Sequence, residues 1–133
     1  MASPTANGES RRARRARGFT LVELLVVMAI VGVLMAIVAP GYFKQTDRAR
    51  ETVLRHNLRT MRVAIDDYRA DRGADPSSLQ VLVDDKYLRE IPLDPVTGRR
   101  DTWQADSAGG TGVHDVHSGA RGNASDGSPY ARW

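Results

Sequence analysis

Residues 17–40 read RGFTLVELLVVMAIVGVLMAIVAP and form the longest apolar segment of the chain. From Phe19 to Ala39 it runs for 21 residues with one charge, that of Glu23. About 20 apolar residues are what an α-helix needs to cross the hydrocarbon core of a bilayer. Helix is the state expected there because lipid offers no partner for free backbone groups. A carboxylate inside such a span costs about 2.5–3.5 kcal/mol. The stretch therefore predicts a membrane-spanning helix in which Glu23 has a specific role.

The segment before this helix, residues 1–18, is polar and carries five arginines and one acid. Positive charge directly before an apolar segment holds that end in the cytoplasm. A nucleic-acid-binding tail and a twin-arginine export signal are the alternative interpretations of this segment.

The excess of basic over acidic residues in the chain comes entirely from residues 1–18. The chain has 19 Lys and Arg against 16 Asp and Glu, so removing residues 1–18 leaves 14 basic and 15 acidic residues, a formal charge of −1. A nucleic-acid surface on the remaining chain is therefore not expected. The chain has no cysteine, which excludes disulfides, cysteine-ligated zinc and thiol catalysis.

The first 40 residues combine a basic leader that ends in Gly18 with Phe19, Glu23 and Pro40. This combination resembles the N-terminus of type IV pilin and type II secretion pseudopilin precursors. The resemblance implies that prepilin peptidase cuts between Gly18 and Phe19 and methylates the new amine of Phe19. That amine is positively charged near neutral pH, and Glu23 follows it by about one helical turn. We expect Glu23 to meet the Phe19 amine of a neighbouring subunit and so to set the register of assembly, because an unpaired carboxylate in lipid is costly.

The apolar run ends at Pro40 and Gly41, where a helix break is predicted. Proline removes one backbone hydrogen bond and can kink a helix, and the resemblance implies local unwinding here in a filament. The alternative is that Pro40 only marks the exit from the membrane.

Residues 41–73 are predicted to continue the helix, with Gly73 as its C-terminal cap. Apolar residues recur every three or four positions, which is typical of a face packed on a core. They are Val53, Leu54, Leu58, Met61, Ile65 and Tyr68. Charged residues occupy mainly the other faces, which we interpret as a solvated surface. They are Arg48, Arg50, Glu51, Arg55, Arg59, Arg62, Asp66 and Asp67.

Residues 74–133 are predicted to form a small domain with a short helix around Leu79–Val83, a strand that begins near Trp103, and a strand over Val113–His117. The segment YLREIPLDP, residues 87–95, is similar to the corresponding segment of major pseudopilins. The fold class predicted is α+β and pilin-like. A long N-terminal helix, whose first half spans the membrane, packs on a domain with a short helix and a small antiparallel sheet.

The C-terminal loop also resembles that of pseudopilins, in which such a loop wraps one calcium ion. Oxygen ligands from a short loop suit calcium, and the resemblance points to Asp115, Ser118 and Asp126. An ordered loop held by Tyr130 and Trp133, with no cofactor, is the alternative.

These features predict a structural subunit and not an enzyme, because the sequence pattern indicates no catalytic nucleophile–base pair and no catalytic carboxylate pair. By resemblance, residues 1–18 are a leader, 19–40 the membrane and assembly half of the helix, 41–73 its periplasmic half, and 74–133 the C-terminal domain. The expected protein is an inner-membrane, single-pass subunit with a cytoplasmic leader and a periplasmic C-terminal domain.

The function that the resemblance implies is that of the major pseudopilin of type II protein secretion, which forms a periplasmic filament that drives export. The expected partners are copies of itself, prepilin peptidase, the inner-membrane assembly platform, minor pseudopilins and membrane lipid. A type IV pilin or minor pilin for adhesion, motility or DNA uptake is one alternative. A membrane-anchored binding domain that never polymerises is another.

Overall fold

The structure, a computed structural model, describes residues 1–4 and 18–133. The leader arginines therefore lie outside the described residues. The chain divides into two units, Met1–Val38 and Ala39–Trp133. The elements, in chain order, are α1 (Leu21–Arg72), α2 (Leu79–Asp84), β1 (Gln104–Asp106), β2 (Asp115–His117) and a 3-10 turn (Tyr130–Arg132).

The apolar side chains of the first unit are exposed. Leu21 is 82% exposed and Ile37 is 71% exposed. Within the described residues, α1 is the one helix that is long and apolar enough to cross a membrane by length and composition. Because these side chains have no protein around them, this part of α1 contributes nothing to the core of the chain.

Pro40 and Gly41 lie inside α1, which continues through them without interruption. The predicted helix break is therefore absent from this single chain. Proline takes away one donor, that to the carbonyl of Ala36, while the flanking turns keep their hydrogen bonds, and such a loss is tolerated in membrane helices. Unwinding within a filament stays a prediction.

The core of the second unit forms along one face of α1. Leu54, Leu58, Met61 and Ile65 are each at most 2% exposed, which confirms the predicted stripe at these positions. Val53, which the prediction also named, is 48% exposed. The face is covered by residues from the rest of the unit, and those buried there are Leu82, Leu88, Trp103, Val113 and Val116.

The ends of both helices follow local rules. Gly73 adopts φ +71° directly after α1, and its N–H donates to the carbonyl of Arg69 at 2.8 Å, as expected of a glycine cap. Ser78 caps the start of α2 by accepting from the N–H of Val81 at 3.4 Å. These two caps position α2 so that Leu82 reaches the stripe.

Among the described residues, the sheet consists of one antiparallel pair of strands. β1 and β2 pair with Gln104 opposite His117 and Asp106 opposite Asp115. β2 buries Val116 at its centre, whereas β1 is exposed throughout. The predicted long helix, short helix and small antiparallel sheet are thus all present, and the fold is α+β.

The chain after β2 passes close to the chain before β1. A Cβ at Gly119 would collide with the carbonyl oxygen of Thr102, so only glycine fits this crossing. The crossing sets the start of the C-terminal loop.

Candidate assembly site and C-terminal loop

The predicted cleavage site lies ahead of α1. Gly18 and Phe19 precede the helix, and Phe19 is 92% exposed. A side chain at Gly18 would meet no heavy atom within 4 Å. Both residues are thus open to solvent or to a partner.

Glu23 lies in the first turn of α1 and closes a reciprocal cap with Thr20. The N–H of Glu23 donates to Thr20 Oγ1 at 3.1 Å, and the N–H of Thr20 donates to Glu23 Oε2 at 3.2 Å. This is a capping box, which satisfies two helix donors that otherwise lack partners. This role was not predicted, although Thr-x-x-Glu before an apolar run is its signature in a sequence.

The capping box uses only one of the two carboxylate oxygens of Glu23. Among the described residues, Glu23 Oε1 has no hydrogen-bond partner. Glu23 can therefore cap its own helix and still offer an oxygen to a cation brought by another chain.

The three residues predicted to bind calcium have other partners. Asp115 Oδ1 accepts from Arg62 Nε at 2.8 Å, and His117 Nε2 lies 3.6 Å from Asp115 Oδ2. Ser118, which is buried, donates to Asp94 Oδ2 at 2.6 Å.

The third, Asp126, lies in the exposed loop. Its Oδ1 accepts from the hydroxyl of Ser128 at 2.6 Å, and its Oδ2 lies 3.4 Å from Arg55 Nη2. The Ser128 hydroxyl lowers the pKa of Asp126.

These contacts already engage the side chains that were predicted to bind calcium. Over the described part of the chain, no three or more His, Asp or Glu side chains converge as metal ligands. Arginines already neutralise Asp115 and Asp126, and calcium would compete with those cations. Partial burial raises the pKa of Asp115, but hydrogen bonds from the Val116 N–H and Arg62 lower it on balance.

The loop is instead held by Glu51, a carboxylate on α1. Glu51 Oε1 accepts from the N–H of Ser125 at 2.6 Å, Oε2 accepts from its hydroxyl at 2.6 Å, and Tyr130 Oη lies 3.4 Å from Oε1. Glu51 is 8% exposed, so its interpretation as part of a solvated face is wrong. The Ser125 hydroxyl lowers the pKa of Glu51.

Aromatic contacts hold the end of the loop. Tyr130 and Trp133 pack edge to face with ring centroids 5.4 Å apart. Trp133 Nε1 donates to Ser128 Oγ at 2.8 Å, and the guanidinium of Arg55 lies 4.1 Å from the Trp133 ring. Tyr130 and Trp133 therefore anchor the end of the C-terminal loop.

Comparison with known proteins identifies a family model and sequence relatives of the chain. The family model described as the prokaryotic N-terminal methylation motif matches residues 13–39. The chain is 30% identical to the type II secretion system core protein G of Pseudomonas aeruginosa, over 90% of this chain and 96% of that protein.

Two further relatives are a second core protein G and a type IV pilin. A type II secretion system core protein G of Klebsiella michiganensis is 30% identical over 80% of this chain and 84% of that protein. The type IV major pilin protein PilA of Myxococcus xanthus is 32% identical over 76% of this chain and 42% of that protein. No solved structure matches the chain.

An apolar, exposed helix that opens on the methylation motif and continues into a small α+β unit defines a pilin-like subunit of the kind that builds pilus-like filaments. The chain belongs to the family of the type II secretion system core protein G, the major pseudopilins.

Proposed function

We propose that this chain is the major subunit of a type II secretion pseudopilus, assembled from the inner membrane to drive protein export. The observation that supports the proposal most is the exposed apolar helix that carries one carboxylate, Glu23, in its first turn. An exposed apolar surface of this kind has to be covered by lipid or by other subunits. The role is structural, and no catalytic step is assigned to the chain.

The processing step gives Glu23 its partner. Cleavage between Gly18 and Phe19 creates an α-amine that is charged near neutral pH. Glu23 Oε2 is used by the Thr20 N–H, which leaves Oε1 for an amine from an adjacent subunit. Because two opposite charges neutralised together in lipid cost less than either alone, docking of the next subunit is favoured at one register.

The topology follows from the leader. Arginines before the helix favour a cytoplasmic start, so the unit Ala39–Trp133 lies on the periplasmic side. Prepilin peptidase, an inner-membrane assembly platform and minor pseudopilins are the partners that this placement requires.

We also propose that the C-terminal loop needs no calcium. Glu51 on α1 binds the loop. Arg55 and Arg62 pair with Asp126 and Asp115, the two carboxylates that a calcium ion would need. The protein is then expected to fold fully in calcium-free buffer.

The mass of the N-terminus tests the pathway. The protein is purified from native membranes and measured by intact-mass and peptide mass spectrometry. A chain that begins at N-methyl-Phe19 is expected. A chain that retains residues 11–18 would contradict the proposal and favour a membrane-anchored binding domain that does not polymerise.

The choice of filament is tested by complementation. A strain that lacks its own subunit and carries this gene should regain export of its secreted proteins. Restored surface pili and motility without export would favour a type IV pilin, the class to which the Myxococcus xanthus relative belongs.

A further inference from the structure

A groove lies on α1 at the start of the second unit, just beyond the apolar run. Its lining residues are Lys44, Asp47, Arg48 and Ser125, and its volume is about 370 Å³. Three of them come from two successive turns of α1, and Ser125 comes from the C-terminal loop that Glu51 holds in place.

Two cations line the groove. In the described chain, neither Lys44 nor Arg48 takes part in a side-chain ion pair. The one acid in the groove, Asp47, already lies 3.9 Å from Arg50. The groove therefore favours an anion.

The distance of the groove from the end of the apolar run indicates the source of that anion. Lys44 follows Ala39 by five residues, or about 7.5 Å along the helix axis. The headgroup layer on each side of a bilayer is about 5–7 Å thick. Because Cα–Cβ bonds in a helix tilt toward its N-terminus, the Lys44 side chain leans back toward the membrane, and long lysines reach headgroups in this way.

Two aromatic residues lie directly before Lys44 on α1. Tyr42 and Phe43 are 69% and 67% exposed, and they pack edge to face with ring centroids 6.2 Å apart. Aromatic rings at the end of a membrane span are typical of the interface between hydrocarbon and water. Their position favours a groove at the level of the headgroups.

We propose that Lys44 and Arg48, in the groove that Ser125 also lines, bind the phosphate of an anionic phospholipid in the periplasmic leaflet. The bound lipid contacts both α1 and the C-terminal loop, so it ties the soluble unit to the membrane surface before assembly. Extraction into a filament then requires that this lipid be released. The lipid site rests on the proposed membrane anchoring alone, and its consequence for assembly rests also on the proposed filament.

The test uses the full chain in nanodiscs of equal parts phosphatidylcholine and phosphatidylglycerol. Lipids that stay bound after release into detergent are counted by native mass spectrometry. Wild type is expected to retain one phosphatidylglycerol, and Lys44→Gln and Arg48→Gln are each expected to lower that retention, Lys44→Gln by about fivefold. Lys86→Gln removes the same charge from the other lysine in the chain, which lies outside the groove, and is expected to match wild type.

Each other outcome overturns the inference. Equal losses in Lys44→Gln and Lys86→Gln would mean a general charge effect, and unchanged retention in both groove variants would mean no site. Displacement of the lipid by excess inorganic phosphate would indicate a simple anion site. A chain that fails to enter nanodiscs would overturn the membrane anchoring itself, whereas an inserted chain without selective lipid would overturn this inference alone.

Discussion

Two glutamates on one helix show how position decides the role of a carboxylate. Glu23 lies in an exposed apolar turn and shares a reciprocal cap with Thr20. Glu51 is buried under the C-terminal loop and accepts two hydrogen bonds of 2.6 Å from Ser125. The first has an oxygen left for another chain, while the second has both oxygens satisfied within its own.

The charge of Glu23 can be separated from its capping role. Glu23→Gln keeps an oxygen that can cap the helix, because glutamine also serves in a capping box, but it removes the charge that would meet the Phe19 amine. We expect Glu23→Gln and Glu23→Ala to insert and to be cleaved normally, and both to give less than about a tenth of the wild-type filament yield, as expected if about 1.4 kcal/mol or more of pairing is lost. The yield is measured by shearing and immunoblotting.

The two variants distinguish the explanations. If capping were the role of Glu23, Glu23→Gln would assemble like wild type and only Glu23→Ala would fail. Normal yield from both variants would remove Glu23 from the assembly mechanism.

At the scale of elements, the sequence predicted what is periodic and local and missed what is long-range. The stripe of Leu54, Leu58, Met61 and Ile65 follows from the helical period alone, and the Gly73 cap follows from one residue. Glu51 lies three residues before Leu54 and so belongs to the same face. A charged residue on an apolar stripe was the available signal, and its charge led to the wrong interpretation.

The C-terminal loop could not be derived in this way. Its contacts join residues far apart in the chain, such as Glu51 with Ser125 and Arg62 with Asp115. Spacing along the sequence carries no information about such pairs. The resemblance to pseudopilins named Asp115 and Asp126 as calcium ligands, while Arg62 and Arg55, which pair with them, lie on α1.

Glu51 should hold the loop by its charge. Glu51→Gln replaces a charged acceptor with an amide, and a hydrogen bond to a charged group contributes about 1.5–3 kcal/mol. We expect a loss of stability of about 2 kcal/mol, or a fall in Tm of about 8–16 °C for a domain of this size. Glu90→Gln removes an exposed carboxylate that pairs with Arg100 and should cost at most about 1 kcal/mol.

The same pair of variants gives a pH dependence and a metal control. Because the pKa of Glu51 is lowered in the folded chain, its stabilisation is complete above the ordinary glutamate range, about 4.3, and is lost as pH falls below that range. The difference in Tm between wild type and Glu51→Gln should therefore shrink in acid. A large rise in the wild-type Tm on adding calcium at neutral pH would contradict the proposal that Glu51 holds the loop without metal.

At the scale of the whole molecule, stability and assembly belong to different parts of the chain. Every buried apolar residue in the described chain lies at or after Leu54, and the apolar side chains from Phe19 to Val38 are exposed. Folding of the second unit therefore owes nothing to the apolar run, which is available for lipid and for other subunits.

This separation predicts the behaviour of a chain that begins at Lys44. It keeps the stripe on α1, α2, the sheet and the Glu51 contact to the loop. We expect it to be soluble without detergent, monomeric by size-exclusion chromatography with light scattering, and to unfold in one transition. Its Tm should lie within about 4 °C of that of the full chain in detergent, a difference of about 1 kcal/mol or less.

The full chain is the matched control, because it differs only in the leader, the apolar run and the four residues that follow the run, Pro40 to Phe43. It should need detergent or lipid to stay in solution. A fragment that is unfolded, or that melts without cooperativity, would mean that the apolar half of α1 supports the core after all. A soluble fragment that still assembles would place the assembly contacts in the second unit and not in the helix around Glu23.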